Sequence, residues 1–376
     1  MRYFSKCRLN VVLVLLLTFN CTFGKPTSFS WGEGLKATEV HRGTNSGTWL
    51  SSWDLSVLKG WGEKITLVRL QLVGDQFNPI LDATGEWTFT DESWSSIDTF
   101  LSRARDNNIH VIIDVHRQFD YFPRAHSADD WGSQENREKL CSIWRSIARR
   151  YVDSRGVIAG FDILNEPCPP DTASGYEMWN QTASEVTQAI REIDNYHTII
   201  VESAGYGSAR CFEYLVPTGD RNTVYSFHIY DPHEFSEQGT RMQWPFGRDG
   251  VSGYEYPGVI PLGWDTKVDT TVDAAYISSK LEPVRQFQDK YNARIYVGEF
   301  GCIRWTPTAP GEVYNSTYFW FKDVLDLIEA ESWDWTYHAY RLSENGAYAI
   351  EHGTDRAVNL RDPKSDLLKL FSKYWN

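Results

Sequence analysis

Short apolar runs alternate with helical segments along most of this 376-residue chain, and that alternation limits what it can fold into more than any other feature. Leu35 to Gly43, Ile65 to Leu70, Ile109 to Val115, Phe161 to Leu164, Thr198 to Val201, Thr223 to Tyr230, Arg294 to Gly298 and Trp333 to Tyr337 read as strands, most of them rich in β-branched or aromatic residues. Between them apolar residues recur at three- and four-residue steps, as in Trp94, Ile97, Leu101 and Ala104, or Leu140, Ile143, Trp144 and Ile147. Strands that alternate with helices predict a parallel sheet, and this number of them predicts an α/β fold of the (β/α)8 barrel kind. Neither a linker nor a low-complexity stretch divides the chain, so residues 25–376 are expected to form a single domain.

Residues 1–24 read differently. Arg2, Lys6 and Arg8 precede the apolar Val11 to Phe19, and small or polar residues close the segment at Gly24. That is the plan of a secretory signal, too short to span a bilayer, so a secreted, extracellular protein is expected, with no membrane attachment once the signal is removed; a monomer is expected as well. A formal net charge of −13 excludes nucleic acid and anionic membrane surfaces as natural partners, while a neutral polymer stays compatible. The 16 Trp suit a large core and also flat platforms on which sugar rings stack. Asp231 to about Asp269 has little periodicity but many rings, which predicts an ordered loop beside the site.

In a parallel barrel the functional face is the C-terminal end of the strands. Arg69, His116, Asn165, Glu166, His228, Tyr230, Glu299 and Trp335 all fall there. A strand-end arginine or histidine alone is more often structural; their convergence on one face is the signal. Two strand-end glutamates suit glycoside hydrolysis, in which one carboxyl protonates the leaving oxygen while the other attacks the anomeric carbon or activates water.

Taken in order, Val68-Arg69-Leu70, Asp114-Val115-His116, Leu164-Asn165-Glu166-Pro167, His228-Ile229-Tyr230, Gly298-Glu299-Phe300-Gly301 and Trp335 resemble glycoside hydrolase family five, the cellulase and mannanase family of retaining barrels. The resemblance implies Glu166 as acid/base and Glu299 as nucleophile, Tyr230 and Arg69 orienting Glu299, and His228 beside Glu166. It further implies Asn165 and His116 on the sugar and Trp335 as the floor beneath it, with no metal or organic cofactor. The polymer expected first is a β-1,4-glucan cut internally; β-mannan or β-1,3/1,4-glucan comes second, and a catalytically silent polysaccharide-binding barrel is the reading from another class. Cys168 and Cys211 follow adjacent strands on one face, which predicts a disulfide between them, with Cys141 and Cys302 as thiols.

Overall fold

The structure is a computed structural model that describes residues 31, 35–36, 38–47, 55–116, 124–238, 253–263, 266–304, 316–340, 348–350 and 366–376. The expected export signal lies outside these residues, as do Trp244, Phe246, Trp264 and Trp305 of the loops expected to shape the cleft.

Eight parallel strands close into a barrel: β1 (Arg42–Gly47), β2 (Ile65–Leu72), β3 (His110–Val115), β4 (Ile158–Asp162), β5 (Thr198–Glu202), β6 (Thr223–Ile229), β7 (Arg294–Phe300) and β8 (Asp334–Tyr337). β1 pairs with β8 through Arg42↔Trp335 and Thr44↔Tyr337 and so completes the ring. Around it run α1 (Ser56–Trp61), α2 (Asp91–Asp106), α3 (Gln134–Tyr151), α4 (Ala173–Arg191), α5 (Glu282–Tyr291), α6 (Thr317–Ala330) and α7 (Asp366–Trp375). A short 3-10 turn over Ala209–Glu213 stands between β5 and β6 where a longer helix would otherwise sit. Side-chain oxygens start the long helices: Thr90, Ser133 and Thr172 accept from the backbone N–H of Ser93, Asn136 and Gly175.

The first strand is displaced from its expected place. Leu35 to Gly43 was expected to be the first strand, yet β1 is built from Arg42–Gly47, a run of turn-like residues. Thr44, Asn45 and Ser46 are all buried, and Asn45 joins the upper barrel, where its Nδ2 donates to the Gly298 carbonyl at 2.8 Å and its Oδ1 accepts from Arg69 Nη1 at 3.2 Å. Gly43 is required by packing: a Cβ there would lie 1.8 Å from the Leu67 carbonyl oxygen of β2.

The barrel is filled in layers. Leu67, Ile112, Ala159, Ile200, Val224 and Tyr296 form an apolar plug sealed by Trp31. Below it Asp334 accepts from Arg294 Nε (2.6 Å), the His41 N–H and Trp31 Nε1. The much larger core lies between strands and helices, and much of the tryptophan is there. Three of those indoles also reach the site's edge: Trp144, Trp179 and Trp320 donate to the carbonyls of Ile163, Glu202 and Asp231, just where β4, β5 and β6 end. The described part of the 231–269 segment contains a hairpin of Gly258–Leu262 with Val268–Val272, anchored through Tyr256, whose hydroxyl donates to Asp323 at 2.8 Å.

Candidate active site

Successive residues of a strand face opposite sides of the sheet, so parity decides which side chains enter the barrel mouth. Above the apolar plug, Arg69 and Gln71 follow Leu67 on β2, Asp114 follows Ile112 on β3, Glu202 follows Ile200 on β5, and His228 follows Val224 on β6. On β7 the register against β6 shifts between Val297 and Glu299, which sets Glu299 opposite His228. Glu166 lies in the loop beyond β4, in a left-handed backbone conformation with φ 49°.

Arg69 is the centre of the constellation and has no exposed surface. Its Nη1 donates to Glu299 Oε1 at 2.7 Å, its Nε to Asp162 Oδ2 at 2.8 Å, and its Nη2 to Asn165 Oδ1 at 3.0 Å and Glu202 Oε1 at 2.8 Å. Asp114 Oδ2 lies 3.1 Å from the same Nη2. Glu299 is held from further sides: Gln71 Nε2 donates to Oε1 and the Tyr230 hydroxyl to Oε2, both at 2.8 Å. Glu166 Oε1 is 3.0 Å from His228 Nδ1, and the other ring nitrogen is 3.2 Å from Glu202 Oε1. His116 Nδ1 reaches the cluster through Asp114 at 2.8 Å.

Charge is distributed unevenly among these groups. Burial by itself would raise the Glu299 carboxyl, but the rings of His338 and His228 and the Arg69 guanidinium around it outweigh burial and hold the group far below the usual range. Burial would strip the proton from His228, yet Glu202 and Glu299 reverse the sign and keep it well above the ordinary histidine value. Glu202 stays low because His228, Arg69 and the Glu166 N–H offset its burial. Asp114 and Asp162 go the other way, since burial exceeds what Arg69 returns. His338, the remaining ring beside Glu299, is held neutral by burial. The standing positive charge at Glu299 therefore comes from Arg69 and His228.

Oxygen and nitrogen atoms of Glu166, His228 and Glu299 lie within 4.8 Å of one another, the one grouping among the described residues with the reach to hold a metal ion. Its donor chemistry does not suit one. Both ring nitrogens of His228 face carboxylate oxygens, so the cationic ring presents N–H donors on either side and no lone pair to a metal.

All the residues expected at the site gather there except Trp335. That indole has no exposed surface and points outward from β8, packed on Phe300, Phe371 and Trp375, with its N–H donating to Glu329 at 2.8 Å. It cannot form the floor of a sugar site. Parity was the readable signal: Thr336 faces inward and donates to the Gly298 carbonyl at 2.7 Å, so the next inward residue is His338. His338 Nδ1 stands 3.5 Å from Glu299 Oε2, and its ring meets Tyr348 edge-on. Gln71, Asp162, Glu202, His338 and Tyr348 were all missed. The expected disulfide is also overturned. Cys168 and Cys211 are both thiols: Cys168 Sγ lies 3.5 Å from His126 Nε2, while Cys211 Sγ contacts the Tyr176 hydroxyl at 3.8 Å. Their loops leave adjacent strands but turn these side chains toward different neighbours.

An eight-stranded parallel barrel whose mouth holds two close carboxylates, one of them fixed by a buried arginine, defines a barrel hydrolase of the glycosidase class. The profile of the cellulase family, glycosyl hydrolase family 5, matches residues 34–342, and the chain belongs to that family. It is 25% identical over 316 residues to endoglucanase C of Acetivibrio thermocellus, covering 76% of this chain and 87% of that protein. Cellodextrinase A of Ruminococcus flavefaciens is 25% identical over 287 residues, covering 72% and 78%. The crystal structure of the endoglucanase Cel5A from Thermotoga maritima superposes with a TM-score of 0.67 at 23% identity, over 88% of this chain and 96% of that one. The chain is thus an endoglucanase-like glycoside hydrolase with the fold expected from its strand and helix pattern.

Proposed function

We propose that the chain is an exported endo-β-1,4-glucanase that retains anomeric configuration, with Glu166 as acid/base and Glu299 as nucleophile. The observation that carries this reading is the approach of the two carboxylates, one oxygen of each lying within 4.8 Å of the other. Retaining pairs stand about 5–5.5 Å apart, whereas inverting pairs need about 6.5–9.5 Å to admit a water between them. In the first step Glu299 forms a bond to the anomeric carbon as the glycosidic C–O bond breaks; its electron pair passes to the leaving oxygen, which takes the Glu166 proton. In the second step Glu166 takes a proton from water as that water displaces Glu299 and releases the sugar. Among the described residues Glu299 Oε1 accepts from Arg69 and Gln71, while Oε2 accepts from Tyr230 alone, so Oε2 has the lone pair left for attack.

Endoglucanase names among the relatives support the glucan polymer, and the arrangement of residues 1–24 supports export. β-Mannan is the second substrate, because Thermotoga maritima Cel5A has been crystallised with mannotriose as well as with cellobiose. Soluble cellulose, mixed-linkage glucan, glucomannan and mannan, each incubated with wild type and with Glu299→Gln, decide among these. Short oligosaccharides from the cellulose derivative, released first as the β-anomer by proton NMR and lost in the variant, are the expected result. Release of α-anomer first, or an active Glu299→Gln protein, would refute the mechanism.

A further inference from the structure

The reaction as assigned gives no task to Glu202, a buried carboxylate at the mouth. Placed at the end of β5, it has no exposed surface, yet it binds the machinery on three sides. Its Oε2 accepts the backbone N–H of Glu166 at 2.7 Å. Its Oε1 accepts from Arg69 Nη2 at 2.8 Å and faces His228 Nε2 at 3.2 Å, while the opposite nitrogen of that ring faces the Glu166 carboxyl at 3.0 Å. Glu202 therefore grips Glu166 twice, at the main chain directly and at the side chain through His228.

We propose that Glu202 is a positioning residue for the acid/base: it fixes the left-handed backbone of Glu166 and aims the His228 ring at the Glu166 carboxyl. This rests on the reading of Glu166 given above. A residue with a Cβ resists φ near 49°, so that conformation needs an external tie. The short N–H···O contact supplies one. The loop above it is shaped to protect the contact. At Gly207, φ is +69°, and a Cβ would come within 3.1 Å of the His228 ring and 3.4 Å of Glu202 Oε2, so glycine lets the backbone lie over this pair without strain or displacement of the ring. From beneath, Trp179 Nε1 donates to the Glu202 carbonyl at 2.9 Å and holds the end of the strand. Substrate has no path to Glu202, which can act only through the groups it holds. Displacement of a catalytic group by about 1 Å can reduce rate about 10²-fold, so such a tie has a kinetic consequence.

The test uses leaving-group dependence, which a general loss of structure does not change. Values of kcat/KM are measured for a cello-oligosaccharide, whose leaving alcohol needs a proton, and for dinitrophenyl β-cellobioside, whose phenolate departs without one. Wild type, Glu166→Ala and Glu202→Gln are compared. Glu202→Gln is expected to lose about 10- to 100-fold on the oligosaccharide and less than about threefold on the aryl glycoside, a smaller copy of the Glu166→Ala pattern. Equal loss on both substrates, or no loss on either, overturns the proposal. If Glu166→Ala itself shows no selectivity, the acid/base assignment has failed. If it shows selectivity and Glu202→Gln does not, only the role of Glu202 has failed. Should Glu202→Gln not fold, Glu202→Asp keeps the charge beside Arg69 and His228 but is too short to reach all three partners. The same selectivity is expected from Glu202→Asp, and equal loss on both substrates would overturn the proposal there too.

Discussion

Glu299 is an anion in a place that burial alone would neutralise, and it is kept charged by groups arranged around two oxygens. Arg69 and Gln71 occupy Oε1, and among the described residues only the Tyr230 hydroxyl touches Oε2 with hydrogen-bond geometry. Tyr230 itself stays protonated, since burial first and the Glu299 charge second both raise its hydroxyl. It is therefore a fixed donor that turns the remaining lone pair toward the substrate. A hydrogen bond to a charged group contributes about 1.5–3 kcal/mol. Tyr230→Phe is expected to lower kcat by about 10- to 150-fold, the rate equivalent of that range, while KM and the melting temperature change little. An unchanged kcat in steady-state assays would mean that Arg69 and Gln71 orient the carboxylate by themselves.

The elements explain what was legible and what was not. The eight barrel strands, the long helices between them and the parallel order follow from periodicity, which the whole length of an element repeats. Parity at a strand's end depends on a single residue, and there the reading of β8 failed. A tryptophan near the mouth suggested a sugar platform, but Trp335 belongs to the layer between barrel and helices, with Phe371 and Trp375 of α7. Trp335→Ala is expected to destabilise the protein by about 3–5 kcal/mol through the cavity it leaves, with kcat/KM of the folded fraction unchanged. Denaturant melts beside activity titrated to folded protein check both halves; loss of substrate affinity without loss of stability would restore the platform. β1 was misplaced for a related reason: polar, glycine-rich residues that line a reaction mouth look like a turn. Glu202, Asp162 and Gln71 were passed over because an isolated polar residue in a strand carries no local sign of its partners. Those partners lie tens to hundreds of positions away, and only closure of the barrel brings them together.

Across the whole molecule, two ionic layers sit at opposite ends of an apolar plug, and the upper one links catalysis to stability. His228 is surrounded by Glu166 from the loop after β4, Glu202 from β5 and Glu299 from β7, with Tyr230 edge-on to its ring. Its raised value means that its stabilisation is fully present below about pH 6.5, the unfolded value, and fades as pH rises through the folded one. Glu202 and Glu299 have depressed values, so their share is fully present above about pH 4.3 and fades as pH falls toward the folded values. Buried neutral His41 and His338 resist protonation and subtract stability as pH drops below about 6.5. The acid limb of the wild type alone is therefore a composite. Subtraction of a variant isolates the contribution of one group. The melting temperature of wild type minus that of His228→Gln is expected to be greatest between about pH 4.5 and 6.5, where imidazolium and both carboxylates are all charged, and to shrink on either side. Thermal melts of both proteins from about pH 3 to 9 give that difference directly. A difference that is largest above about pH 7 and already declines as pH falls through about 6.5 would mean that His228 is neutral in the folded protein, and the charge held beside Glu166 and Glu299 would then be that of Arg69 alone.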